Sequence, residues 1–250
     1  MDRILYTAMS GAKQSMDQQA VVSHNLSNVS TSGFRAQLHA MRAVPVQGEG
    51  APTRVSVAAS TPGSDFSPGP ITHTGRELDV ALQGDSWLAV QADDGTEAYT
   101  RRGDLEVDGD GLVTVMGRPV IGDGGPIIVP LGSSVSVGAD GTLSAIGEGE
   151  GPEALVDVGR LKLVTPERNL QRGEDGLFRL PPNAEGEVAA LPADENARVA
   201  GGALEGSNVS AVEAMVAMID VGRRYEMQMK VISTADENAQ RANNLLSLQG

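Results

Sequence analysis

The chain has 250 residues, 40% of them hydrophobic, with 31 glycines, 13 prolines, no cysteine and a net charge of −14. An acidic balance without a basic stripe argues against nucleic acid or an anionic membrane as partner, and the missing cysteine removes disulfide and thiolate–metal chemistry. No run approaches the ~18 apolar residues of a membrane span, so no direct membrane insertion is expected.

Charge and composition divide the chain in three. Residues 1–42 carry four Lys/Arg and two Asp/Glu, residues 205–250 carry four and six, and the middle carries eleven and twenty-five. Every proline falls between Pro45 and Pro192, and 26 of the glycines lie in the middle. The expected parts are an N-terminal helix and bend (1–42), an acidic β domain (43–204) and a C-terminal helix (205–250). The expected fold class is modular α+β: long N- and C-terminal α-helices, coiled-coil-like, flanking an antiparallel all-β middle domain.

From Arg3 to about Ser27, Leu5, Ala8, Ala12, Met16, Ala20, Val22 and Leu26 recur mostly at three- and four-residue steps, which predicts an amphipathic helix. Its stripe is built of small residues. Such a stripe stabilises an isolated helix little but lets a second backbone come close. Ile4–Ala12 imitates a signal-peptide core, yet Lys13 and more helix-period residues follow, so no cleaved signal is expected. The helix should stop in Asn25–Arg35, where Asn, Ser and Thr compete for backbone hydrogen bonds and Gly33 permits positive φ.

Short β-branched or alternating runs fill the middle: Trp87–Val90, Leu105–Val107, Leu112–Val115, Ile127–Val129, Ser134–Val137, Arg160–Val164 and Leu177–Leu180. Between them stand Asp94-Gly95, Asp108-Gly109-Asp110-Gly111, Asp140-Gly141 and Asp175-Gly176, pairs suited to tight hairpins. This pattern predicts an antiparallel sandwich or barrel-like domain. Gly147–Pro152 and Pro181–Glu187 read as exposed loops.

The last stretch, Ser210–Leu248, has no proline. Ser210-Ala211-Val212-Glu213 spells a capping box. Val212, Met215, Ile219, Gly222, Tyr225, Met229, Ile232, Ala235, Ala239, Ala242 and Leu246 form a stripe with a mean step of about 3.4, nearer a supercoiled seam than a straight helix. Such a helix would be roughly 58 Å long and needs a partner along its length.

Candidate chemistry is sparse. His24, His39 and His73 are isolated in sequence, without an i, i+4 pair to hold a metal, and no Gly-x-Ser-x-Gly elbow occurs. Asp108–Gly111 opens like a calcium loop, but strand residues follow where the ligating glutamate should stand. Glu148, Glu150 and Glu153 read as a solvated cluster in a loop. The helix methionines Met215, Met218, Met227 and Met229 read as gap-filling packing residues.

Three groups of residues carry a resemblance. Asn25-Leu26-Ser27-Asn28 with Thr31-Ser32-Gly33-Phe34 resembles the Asn-Leu-Ala-Asn…Thr-Pro-Gly-Phe/Tyr motif of the rod and hook proteins of the bacterial flagellum, with Ser32 in the place of the proline. Leu78–Leu88, with Trp87 as its aromatic, and Tyr99–Leu105 look like that family's β-domain signature. Leu204-Glu205-Gly206-Ser207-Asn208-Val209, Glu213-Ala214-Met215, Arg223-Arg224-Tyr225-Glu226, Lys230-Val231-Ile232 and Asp236 look like its C-terminal signature.

The resemblance implies a structural subunit without catalysis or cofactor, in the proximal part of the flagellar basal-body rod that crosses the periplasm. The implied partners are other rod subunits, further copies of the chain, the flagellar type III export apparatus and surrounding ring proteins. The implied assembly interface comprises Leu5, Ala8, Ala12, Asn25, Leu26, Asn28, Thr31, Gly33, Phe34, Leu204, Glu205, Ser207, Asn208, Val209, Met215, Ile219, Tyr225, Glu226, Lys230, Ile232 and Asp236. A distal rod or hook-type subunit is the nearest alternative. A helix-flanked phage tail or fibre protein and a β-rich hydrolase are more distant ones.

Overall fold

Helix α1 (Asp2–Ser27) and helix α2 (Ala211–Ser247) lie near the two ends of the chain in the computed structural model, which describes residues 2–45, 55–149, 151–167, 170–182 and 188–247. The middle is a set of short, antiparallel-paired strands, as its turn spacing predicts. Residues 183–187 of the expected Pro181–Glu187 loop, and Glu150 of the other, lie outside the described residues.

Two compact units result. The first gathers Met1–Val29, Ala36–Asp65 and Val209–Gly250; the second gathers Ser30–Arg35 and Phe66–Asn208. Strand β1 (Gln37–Pro45) pairs antiparallel with β2 (Val55–Ser64), and this hairpin groups with the helices.

In the first unit α1 packs along α2 and against the hairpin. The Ser210 hydroxyl accepts from the Glu213 N–H at 3.4 Å, so the expected cap is in place at the start of α2. The packed face of α2 agrees with the expected stripe at Gly222, Tyr225, Ile232, Ala235, Ala239 and Ala242 and departs from it at Val212, Met215, Ile219 and Met229. Ala214, Met218, Val221 and Gln228 are the other buried or half-buried positions of that face, which steps alternately by four and three. Val212, Met215, Ile219 and Met229 point outward, each at least 43% exposed. In α1, Met16 and Ala20 are exposed, and Ser15 and Gln19 take their places beside Ala8 and Ala12. The approach is close where the seam is made of small residues: Ala8 and Ala12 are buried, and a Cβ on Gly11 would stand 2.9 Å from the Gln228 amide.

In the second unit, strands β3 (Ile71–His73), β4 (Val80–Leu82), β5 (Trp87–Gln91) and β6 (Glu97–Thr100) come first in the chain. β5 and β6 sit inside a five-stranded sheet with Leu163–Val164 on one side and Phe178–Arg179 and Gln171–Arg172 on the other. Side chains alternate across a strand, and both faces of β5 are covered. Leu88 and Val90 join the larger core with Leu82, Leu105, Val113, Leu143, Leu161 and Val199. Trp87 and Ala89 join Tyr99, Val164, Leu170 and Phe178 on the other face, with Phe66 edge-on to Trp87 at 5.8 Å. That double burial explains why the Trp-Leu-Ala-Val run is apolar throughout rather than alternating.

The Asp-Gly turns form as expected. Gly95, Gly111, Gly141 and Gly176 all have φ between 80 and 85°. At Asp108 the carboxylate accepts from the N–H groups of Asp110 and Leu112, closing a hairpin rather than a cation loop. Leu177–Leu180 is trimmed to Phe178–Arg179 and Leu105–Val107 to Glu106–Val107, and two further expected strands are reduced. Ile127–Val129 contributes a single bridge, Leu112 to Ile128, and Arg160–Val164 is broken at Leu161, whose N–H turns to the Gly141 carbonyl.

Candidate functional site

The most concentrated polar structure in the second unit joins residues from both ends of the chain to its middle. Val199–Gly201 pairs with β4 and Ala203–Glu205 pairs with β3, which carries Glu205 into the interior at 2% exposure. Ser30–Arg35, the segment that follows α1 in sequence, belongs to the same unit. Gly33 donates its N–H to the Glu205 carbonyl at 2.7 Å, and Asn208 donates to the Phe34 carbonyl at 3.3 Å.

Gly33 has a structural reason to be glycine. Its φ is +64°, and a Cβ there would lie 2.4 Å from the carbonyl carbon of Arg101. Gly69 is equally confined, because a Cβ would lie 2.1 Å from the Gly206 oxygen. Its N–H reaches Glu205 Oε1 at 2.9 Å.

Two guanidiniums close on the Glu205 carboxylate. Arg35 Nη2 is 2.7 Å from Oε1, and Arg101 places Nε 2.8 Å and Nη2 2.5 Å from Oε2. Arg101 also donates to the carbonyls of Leu82, Gly84 and Ser86. Burial pushes the Arg101 guanidinium below its ordinary value, Glu205 opposes that shift, and neighbouring Arg35 adds to it. Desolvating three charges is expensive, and the hydrogen bonds and mutual attraction offset that cost. Nearby, Arg172 stacks 4.4 Å from the Phe34 ring centre and donates to the Arg35 carbonyl, while Ser32 reaches Asp104 at 3.3 Å. The arrangement is a clamp on backbone and carboxylate. It offers no nucleophile paired to a base.

The residues expected at an interface fall into distinct places. Gly33, Phe34, Glu205 and Ser207 are buried in the second unit, where Thr31, Leu204 and Asn208 are half-buried and the Asn208 amide donates to the Ser67 carbonyl. In the first unit Ala8 and Ala12 are buried, and Leu5, Leu26, Val209, Tyr225 and Ile232 are half-buried. Asn25 exchanges two hydrogen bonds with the Gln37 backbone, and the Asn28 amide donates to the His24 carbonyl. Met215, Ile219, Glu226, Lys230 and Asp236 are exposed. Arg35 and Arg101, the centre of the clamp, carry no local pattern that relates them to Glu205: Arg35 follows Gly33-Phe34, and Arg101 stands beside Arg102 in the Tyr99–Leu105 run. No group of three or more potential metal-ligating residues occurs among the described residues, and no helix there is long and apolar enough to cross a membrane.

Three family models match the chain: "Flagella basal body rod protein" over residues 5–35, "Flagellar hook protein FlgE/F/G D1 domain" over 81–145, and "Flagellar basal body rod FlgEFG protein C-terminal" over 200–245. The chain is 56% identical over 250 residues to the flagellar basal-body rod protein FlgF of Salmonella typhimurium, covering 99% of this chain and 100% of the relative. It is 55% identical over the same shares to the Escherichia coli protein of that name. Against the flagellar basal-body rod protein FlgG of Agrobacterium fabrum it is 31% identical over 95% of this chain and 97% of the relative.

Proposed function

The chain belongs to the family of flagellar basal-body rod proteins, of the FlgF type, and on that premise we propose that it is a structural subunit of the proximal rod, stacking helically with copies of itself and with related subunits into the hollow shaft that transmits torque. Its place is the basal body, and its role is mechanical. Export through the flagellar type III apparatus without a cleaved signal, and contact with surrounding rings, belong to the same reading.

One observation carries the assembly mechanism. The two terminal helices bury a seam that mixes small residues with Met218, Val221, Tyr225 and Ile232, and they leave many large apolar side chains outside: Tyr6, Met9 and Met16 on α1, and Val212, Met215, Val216, Ile219, Met227 and Val231 on α2, are all at least 46% exposed. An exposed apolar surface of this extent is stabilised by burial against like molecules. The four-and-three alternation along α2 supports a coiled-coil-like contact, and a repeated head-to-tail interface propagates an open tube rather than a closed ring. The interface assigned by this reading includes Leu5, Leu26, Met215, Ile219, Glu226, Lys230 and Asp236, while Ala8, Ala12, Tyr225 and Ile232 line the seam between the chain's own helices. The division into an N-terminal segment (1–42), a β domain (43–204) and a C-terminal helix (205–250) describes how it would be laid out in the shaft.

Because the chain has no cysteine, single cysteines can be placed at will. Met215→Cys or Ile219→Cys, loaded with a thiol-attached photo-cross-linker, should give subunit-to-subunit products in purified basal bodies, whereas Glu174→Cys in the second unit, loaded in the same way, should not. Absence of those products from intact rods that contain the chain would refute this interface.

A further inference from the structure

The chain contains six Asp-Gly pairs, each setting a side-chain carboxyl next to the backbone nitrogen of a residue with no Cβ to obstruct it. Cyclisation of such a pair needs two groups at liberty: the Asp carboxyl, which must turn its Cγ toward the following nitrogen, and that nitrogen, which must leave any carbonyl it donates to. In five of the pairs a hydrogen bond holds at least one of them. The Asp94 and Asp140 carboxylates accept from the N–H and hydroxyl of Thr96 and Thr142, and the N–H groups of Gly95 and Gly141 donate to the carbonyls of Ala92 and Gly138. Asp175 is held by the Leu177 N–H and by Arg179, with Gly176 donating to the Gly173 carbonyl. Asp108 accepts from the N–H groups of Asp110 and Leu112, and Gly111, which follows Asp110, is buried and donates to the Asp108 carbonyl.

Asp123-Gly124 is the exception. Among the described residues its carboxylate accepts no hydrogen bond and the Gly124 N–H donates none. Exposure does not set the pair apart, since Asp94 and Gly95 are exposed as well. Asp123 and Gly124 form the two-residue turn between Ile121–Gly122 and Gly125–Pro126, and a Cβ on Gly124 or Gly125 would meet nothing within 4 Å, so the turn has room to move. The Asp123 N–H donates to the Arg160 carbonyl at 3.1 Å, a bond that leaves both reacting groups free.

We propose that Asp123 is a site of spontaneous isoaspartate formation. The Gly124 nitrogen bonds to Asp123 Cγ, the C–OH bond of the carboxyl breaks, and the hydroxyl and the amide proton leave together as water. Water then opens the cyclic imide at one of its two carbonyls. Opening at Cγ restores Asp123. Opening at the former main-chain carbonyl breaks the original peptide bond, leaves a free α-carboxylate and routes the main chain through Cγ. The net change is an isomerisation that needs no reagent besides solvent, and it lengthens by one carbon the link between the paired Gly122 and Gly125.

Purified full-length protein aged for weeks at neutral pH, then digested and fragmented in a mass spectrometer so that isoaspartate is distinguished from aspartate, tests this. Isoaspartate at Asp123 should form at least about fivefold faster than at each of the other five pairs, because one or two hydrogen bonds must break there first, a factor of roughly 5–30 in the reactive population. In urea, where those hydrogen bonds are gone, the lead should disappear. Gly124→Ala, whose methyl group has space in the fold but crowds the attacking nitrogen, should slow the reaction at Asp123 and leave the urea unfolding transition unchanged. Isoaspartate forming first at another pair, the same lead for Asp123 in the folded and unfolded chain, or an unaltered rate in Gly124→Ala would overturn the proposal.

Discussion

Gly33 and Glu205, from opposite ends of the chain, meet backbone to backbone, the Gly33 N–H donating to the Glu205 carbonyl at 2.7 Å while the Glu205 carboxylate turns inward to two arginines. One residue thus pins the N-terminal bend with its main chain and neutralises buried charge with its side chain. Substitutions at either position therefore test whether the bend is a structural joint of the second unit.

Gly33→Ala should destabilise the protein by about 2–3 kcal/mol, because it combines a positive φ with a carbon 2.4 Å from the Arg101 carbonyl carbon. Urea unfolding followed by Trp87 emission measures this. Gly75→Ala also meets a positive φ but has open space around it, so it should cost only about 1 kcal/mol. Equal losses would show that the close approach to Arg101 is unimportant.

Glu205→Ala leaves two guanidiniums buried without their carboxylate and should cost about 3–5 kcal/mol. Replacing Arg35 and Arg101 by Met in the Glu205→Leu background should regain much of that loss, since an apolar core needs no counter-charge. A triple variant no more stable than Glu205→Ala would mean that the clamp holds the unit by its hydrogen bonds to backbone.

The two faces of α2 separate folding from assembly. Val221 is 1% exposed and Met215 is 53% exposed. Val221→Ala should lower the thermal stability of the dilute protein by about 1–2 kcal/mol. Met215→Asp should leave that stability within about 0.5 kcal/mol and abolish swimming on soft agar. Normal motility in Met215→Asp would remove the outward face of α2 from the interface.

The hydrogen bond from Arg179 holds the Asp175 carboxyl below the usual carboxylate range. A depressed acid contributes stability that is present above its unfolded pKa of about 4 and is lost as pH falls through the folded value. Asp175→Asn should therefore be less stable than wild type at neutral pH, and the difference should shrink on acidification below pH ~4. A difference that is constant from pH 7 to pH 3 would exclude this ion pair as its cause.

Whatever a short stretch of chain determines by itself was legible in the residues. The Asp-Gly hairpins, the Ser210 cap, the exit of α1 and the strands at Trp87–Gln91 and Ser134–Val137 all depend on neighbours within a few positions. Apolar periodicity also found both helices and the later part of the α2 seam. It misplaced the rest of each buried face, because it ranks residues by greasiness: Met16, Met215 and Ile219 scored over Ser15, Ala214 and Val221. Which face is buried depends on how near the other helix comes, and only a tertiary structure contains that distance. The Arg35–Glu205–Arg101 clamp was equally invisible, for no local pattern relates charges so far apart in the chain. The pairing of β3 with the strand Ala203–Glu205 is what places Glu205 beside the arginines, and burial makes their partnership obligatory.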